Sequence, residues 1–229
     1  MIVLRSAIFN VVFFAVSLVM ALLAAAIRIV APDRVIDVAM LWARTLVASV
    51  RIICGIRLDV SGLEHIPRGP ALIASRHQSA FDTIVWLTLL PRCCYVFKDE
   101  LLKIPLFGPL IAASGMIAVD RDAGGAAIRV LLRQGDRAVK EQRQIVIFPE
   151  GTRSEPGSPG ALQSGVAALA SRTGLPVIPV STDSGRFWGR RAFRKRPGTI
   201  RIVIGSPIPA QTERKALMRA LEEAMAAID

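Results

Sequence analysis

Ala71-Leu72-Ile73-Ala74-Ser75-Arg76-His77-Gln78-Ser79-Ala80-Phe81-Asp82-Thr83-Ile84-Val85-Trp86-Leu87 sets two apolar runs around a polar stretch. The first run is short and aliphatic and reads as a buried strand; the second reads as a helix beginning near Asp82. His77 and Asp82 are five residues apart, so on one continuous helix their side chains would point about 140° apart. Across a strand-to-helix turn they converge. The carboxylate then accepts from one ring nitrogen while the other faces a substrate, which makes the imidazole a general base. The alternative is a polar turn residue followed by an ordinary N-cap. The pair alone does not choose between them.

Strands and helices alternate from Gly55 onward. Strands are predicted at Arg57–Val60, Ala71–Ala74, Cys93–Phe97, Met116–Val119, Gln144–Phe148, Val177–Val180 and Thr199–Ile204. Helices are predicted at Asp82–Leu90, Leu101–Ala113, Gly125–Glu141, Gly160–Arg172 and Glu213–Ile228, the fourth stopping at Gly174. This order predicts an α/β domain with a mostly parallel central sheet flanked by helices. Ligand sites in such sheets gather outside the carboxyl ends of the strands. Pro179, inside a predicted strand, implies an edge, a bulge or a cleft-lining position.

Ahead of this domain, Ser6 to Ile27 is an apolar run of 22 residues. As a helix it would be about 33 Å long, close to the hydrocarbon thickness of a bilayer. It outruns a signal-peptide core and Arg28 follows at once, so it reads as a retained anchor. Val35–Ile53 carries Arg44 and Arg51 on one face and reads as an amphipathic helix at the membrane interface; an ordinary core-packing helix is the other reading. The chain is thus divided into a membrane-anchoring two-helix segment, residues 1–53, and an α/β domain, residues 54–229.

The 229 residues carry 29 Lys and Arg against 18 Asp and Glu, a net charge of +11, and are 52% apolar. With a mean hydropathy of +0.47, a basic and greasy chain points to an anionic membrane surface or an anionic lipid; no nucleic-acid signature accompanies the charge. Cys54, Cys93 and Cys94 form no disulfide framework and read as reduced thiols packed as small apolar residues. No ligand spacing for a metal is present.

Two more predicted strands end in polar motifs. Gly115-Met116-Ile117-Ala118-Val119-Asp120-Arg121 delivers Arg121, a candidate phosphate grip, or else a surface Asp-Arg pair. Ile145-Val146-Ile147-Phe148-Pro149-Glu150-Gly151-Thr152-Arg153-Ser154 ends in a carboxylate, a glycine that permits close backbone approach, a hydroxyl and a guanidinium.

Together these stretches resemble the glycerolipid acyltransferase family, and within it the 1-acylglycerol-3-phosphate acyltransferases. The family's His-x4-Asp is matched by His77 and Asp82, its Gly-to-Asp-Arg motif by Gly115 to Arg121, and its Phe-Pro-Glu-Gly-Thr-Arg-Ser without substitution by Phe148 to Ser154. Val177–Val180 matches its Val-Pro strand, and Lys98 to Pro105 its Lys-x-Glu-Leu stretch. Two positions depart: Arg76 stands where Asn is common before the histidine, and Leu162-Gln163-Ser164-Gly165 lacks the lysine of Phe-Lys-x-Gly.

The resemblance implies transfer of a fatty acyl group from acyl-CoA or acyl carrier protein to the sn-2 hydroxyl of 1-acylglycerol-3-phosphate, giving phosphatidic acid without a cofactor. His77 and Asp82 are then catalytic, and Lys98, Arg121, Glu150, Gly151, Thr152 and Arg153 bind substrate, with Glu150 organising the pocket. Backbone N–H groups near Asp82 are the expected oxyanion donors. Arg186 to Arg196 interleaves cations with aromatics and is expected to meet anionic headgroups. The expected location is the inner membrane of the cell, with the catalytic domain facing the cytoplasm. Two alternatives are the same chemistry on another acceptor, such as lyso-ornithine lipid, and a non-catalytic anionic-lipid-binding module.

Overall fold

The computed structural model describes residues 1–105, 107–210 and 213–229. Its seven strands form one sheet in the order β1-β7-β6-β2-β5-β3-β4. They are β1 Ile56–Ser61, β2 Ala71–Ser75, β3 Cys93–Lys98, β4 Ile117–Val119, β5 Gln144–Ile147, β6 Val177–Thr182 and β7 Gly198–Ile204. The pairs β6–β2, β2–β5, β5–β3 and β3–β4 are parallel, as is β1–β7, and only β6–β7 is antiparallel. The expected mostly parallel α/β architecture is therefore what the chain adopts. One edge of the sheet gathers the carboxyl ends of β2, β3, β4, β5 and β6.

The helices are α1 Ile2–Val30, α2 Val35–Ser49, α3 Asp82–Leu89, α4 Phe107–Ala113, α5 Gly125–Lys140, α6 Gly165–Thr173 and α7 Arg214–Ala227. Both faces of the sheet are covered, which is why its central strands are continuous apolar runs. Ala71 and Ile73 of β2, Val146 of β5 and Ile178 and Val180 of β6 pack with Phe9, Leu46, Val50 and Trp86, on the side of α1, α2 and α3. Their neighbours Leu72, Ala74, Ile145, Ile147 and Val177 pack with Leu131, Leu169, Leu217 and Met225, on the side of α5, α6 and α7.

Several expectations are corrected. Leu101–Ala113 is not one helix: a 3-10 turn at Asp99–Lys103 is separated from α4 by Pro105, which disfavours helical backbone at Ile104. The helix predicted from Gly160 starts at Gly165, while its end at Gly174 holds. Pro179 is not at an edge, because β6 pairs on both sides. The ladder with β7 begins one residue later, at Val180, and the Pro179 carbonyl accepts from Gly205, just past the end of β7. Its missing N–H thus falls where the neighbouring strand has already stopped.

The core-packing reading of α2 is the one its contacts show. Val38, Ala43 and Leu46 are buried while Arg44 and Arg51 are exposed. The three cysteines are free and buried. Gly62, following β1, has φ +79°, and a Cβ there would collide with the Ile204 carbonyl that also accepts from His65 Nδ1. Gly62→Ala is expected to destabilise the protein by roughly 1–3 kcal/mol, read as a lower urea midpoint; an unchanged midpoint would contradict this packing.

Candidate active site

β2 runs into the turn at Arg76–Phe81, and α3 starts at Asp82. The Asp82 carboxylate, 2% exposed, reaches back across the turn. Its Oδ2 accepts from the backbone N–H groups of Gln78 (2.7 Å) and Ser79 (2.8 Å) and from His77 Nδ1 at 3.2 Å. The strand-to-helix turn therefore does bring His77 and Asp82 together. One oxygen fixes both the turn and the imidazole tautomer, leaving Nε2 as the nitrogen without the proton. The ring also stacks on Phe148, with centroids 4.2 Å apart and planes at 20°. It retains slight access to solvent, at 12%.

These bonds occupy several of the N–H groups near Asp82 that were expected as oxyanion donors. The N–H groups of Gln78 and Ser79 are taken by Asp82, and that of Phe81 donates to Ser79 Oγ.

The loop after β5 is joined to this turn. Ser154 N–H donates to the His77 carbonyl at 2.8 Å, and Gln163 N–H to that of Pro149 at 2.7 Å. Gly151 adopts φ +72°, a backbone that its lack of Cβ allows. Arg121, from the turn after β4, donates to the Gly151 carbonyl, so it braces the loop with one arm.

Glu150 points inward rather than toward Arg153. Its side chain is fully buried and Oε1 accepts from Arg76 Nη1 at 2.8 Å. Arg76, the departure from the family pattern, is thus the partner of the motif's carboxylate, a role that sequence reading missed. Arg153 is half-buried; burial lowers its pKa, Asp82 acts in the opposite direction, and Arg190 and Arg191 lower it further. Arg153 precedes Ser154, whose N–H holds the His77 carbonyl, so it lies on the loop joined to the His77 turn. Thr152 is exposed at the loop tip.

Lys98, at the end of β3, stands apart. Its Nζ pairs with Glu100 at 2.8 Å and lies 3.9 Å from Asp122, and hydrogen bonding to Glu100 raises its pKa. Among the described residues, the buried side-chain polar atoms without a partner are Arg76 Nε, Asp82 Oδ1, Glu150 Oε2, Arg153 Nε and Ser184 Oγ. Four belong to this site and the fifth sits beside Gly185, whose N–H donates to Gln78 Oε1. Such atoms are rare in ordinary cores.

Residues 57–183 match the family model described as Acyltransferase. The chain belongs to the acyltransferase family. A 1-acyl-sn-glycerol-3-phosphate acyltransferase of Pseudomonas aeruginosa is 40% identical over 172 residues, 75% of this chain and 67% of that protein. The human 1-acyl-sn-glycerol-3-phosphate acyltransferase alpha is 29% identical over 171 residues, 73% of this chain and 60% of the relative's length. The crystal structure of the Thermotoga maritima acyltransferase PlsC superposes with a TM-score of 0.78 at 21% identity, over 99% of this chain and 96% of that one. The acyltransferase match spans the His77 turn, the Arg121 turn and the Glu150 loop alike.

Proposed function

We propose that this protein transfers a fatty acyl group from an acyl thioester to the sn-2 hydroxyl of 1-acylglycerol-3-phosphate. The observation that carries the reading is the His77–Asp82 bond at 3.2 Å beneath an imidazole otherwise free to meet a hydroxyl. His77 Nε2 takes the proton of the acceptor hydroxyl as its oxygen attacks the thioester carbonyl. Asp82 stabilises the imidazolium. The tetrahedral intermediate collapses, the C–S bond breaks, and the proton held by His77 passes to the departing thiolate, releasing a thiol and restoring the base. Direct transfer uses no acyl-enzyme. Acyl-CoA and acyl carrier protein both supply the required thioester.

Arg153 is the favoured phosphate-binding group, because it is half-buried on the loop whose Ser154 bonds the His77 carbonyl, whereas Lys98 is already paired with Glu100. Arg153→Ala is expected to raise KM for lysophosphatidate about ten- to hundred-fold, with little change for an acceptor lacking phosphate, such as lyso-ornithine lipid. A panel of acceptors with one donor reads this. Equal losses on both acceptors would remove Arg153 from phosphate binding, and turnover of only the phosphate-free acceptor would replace the proposed substrate.

The enzyme is proposed to work from within one leaflet of the inner membrane, its site on the cytoplasmic side. α1 is long and apolar enough to cross a membrane. Yet Ser6, Phe9, Phe13, Ser17, Met20, Ala24 and Ile27 contact the protein along nearly its whole length. Leu4, Val11, Phe14, Leu18 and Leu22 face outward. A helix fastened along one side to a water-soluble domain suits in-plane embedding better than a free span. Phe193 and Arg190, Arg191 and Arg194 are exposed and suit anionic headgroups. Trp188 and Lys195 of that loop are instead buried, correcting their expected membrane contact.

A further inference from the structure

We propose that Asp229 is a positioning residue for acyl transfer, acting on the His77 turn and the Glu150 loop through Arg76. The proposal rests on the reading of His77 as the base.

Arg76 is the first residue after β2 and immediately precedes His77. Its backbone N–H donates to the Val180 carbonyl of β6 at 2.9 Å. Its side chain, 6% exposed, is held at both arms: Nη1 donates to Glu150 Oε1 at 2.8 Å and Nη2 to Asp229 Oδ2 at 2.9 Å. The other Asp229 oxygen accepts from Ser181 Oγ on β6. Asp229 follows α7, which is seated on the opposite side of the sheet from α3 by Leu217, Leu221 and Met225. One line of charge-assisted bonds therefore runs from the end of α7 through Arg76 into both motifs of the site.

A guanidinium is a planar fork, so anchoring both arms removes rotation about its long axis. Without Asp229 the second arm loses its carboxylate partner, and the group is free to swing. The swing is transmitted to Glu150 and to the backbone on which His77 hangs. Ser181 and Asp229, with Arg76, Gln78 and Ser154, also line an open cavity of about 360 Å³ at this edge of the sheet. Its charges balance, Arg76, Arg186 and Arg201 against Glu155, Asp183 and Asp229. That balance favours a structural brace over an anion-binding site.

The test uses the full-length protein in lipid vesicles, with lysophosphatidate as acceptor and acyl-CoA as donor. Asp229→Ala is expected to lower kcat about ten-fold with KM nearly unchanged, as a misplaced base would. Asp229→Asn, which keeps an acceptor oxygen for Arg76, falls between it and wild type. Glu222→Ala, exposed on α7, serves as a control and behaves as wild type. In an Arg76→Lys background, Asp229→Ala adds no further loss. Independently of any acceptor, diethyl pyrocarbonate should modify His77 several-fold faster in Asp229→Ala, read by mass spectrometry with His65 as internal reference.

Wild-type kcat and wild-type His77 reactivity in Asp229→Ala overturn the proposal. So does an equal loss in both Arg76 backgrounds. If Asp229→Ala does not fold, Asp229→Asn decides by the same two readouts. If the wild-type protein fails to acylate lysophosphatidate, the acceptor assignment fails and the His77 modification rate alone decides the positioning role.

Discussion

Replacing His77 with alanine should lower kcat by about 10²–10⁴-fold, the usual contribution of a positioned general base. Asp82 would be left with its two backbone donors, so the turn keeps its shape. Phe148 loses a stacked ring, a packing defect that His77→Gln largely fills while still removing the base. Both variants should bind anionic vesicles as wild type does and stay folded by circular dichroism. The rate of thiol release from acyl-CoA is the measurement. Wild-type turnover in either variant would remove His77 from the chemistry, and lipid binding with no turnover even in wild type would favour the non-catalytic module.

Arg76→Met should destabilise the protein by about 3–5 kcal/mol, because it leaves the fully buried Glu150 side chain as an uncompensated charge. The double variant Arg76→Met/Glu150→Gln should recover much of that loss, since replacing both partners removes the stranded charge. Chemical denaturation of wild type, single and double variants gives the comparison. If the single and double variants are equally destabilised, the pair is not what makes Arg76 costly to remove.

Much of the fold was legible in the sequence because its strands are bounded by sharp chemical changes. Ala71–Ala74 is an aliphatic run cut off by Ser75 and Arg76, Ile145–Ile147 one that stops at Phe148 and Pro149, and both are strands buried on two faces. Leu101–Ala113 misled because its apolar content matched a helix while Pro105 broke it. Of the three positions that Pro179 allowed, only the edge is excluded, because β6 pairs on both sides and β7 stops beside the proline. At the site, the change from strand to helix between His77 and Asp82, rather than their spacing, carried their convergence. The partner of Glu150 was not legible, because Arg76 lies 74 positions away and only the β2–β5 pairing makes them neighbours. Asp229 is further still, and no local pattern announces it.

The N-terminal helix has a consequence for handling this protein. Lys195 Nζ donates to Asn10 Oδ1 at 2.6 Å, its backbone N–H to Ser6 Oγ, and Phe9 meets Trp188 edge-on at 5.2 Å. Phe9 itself is fully buried. Trimming the chain ahead of α2 to obtain a water-soluble fragment would therefore not detach a tether. It would pull a keystone from the catalytic body, leaving the Lys195 ammonium without its Asn10 partner and an indole bared to water. In this molecule the one helix among the described residues that is long and apolar enough to cross a membrane is also part of the folded enzyme body.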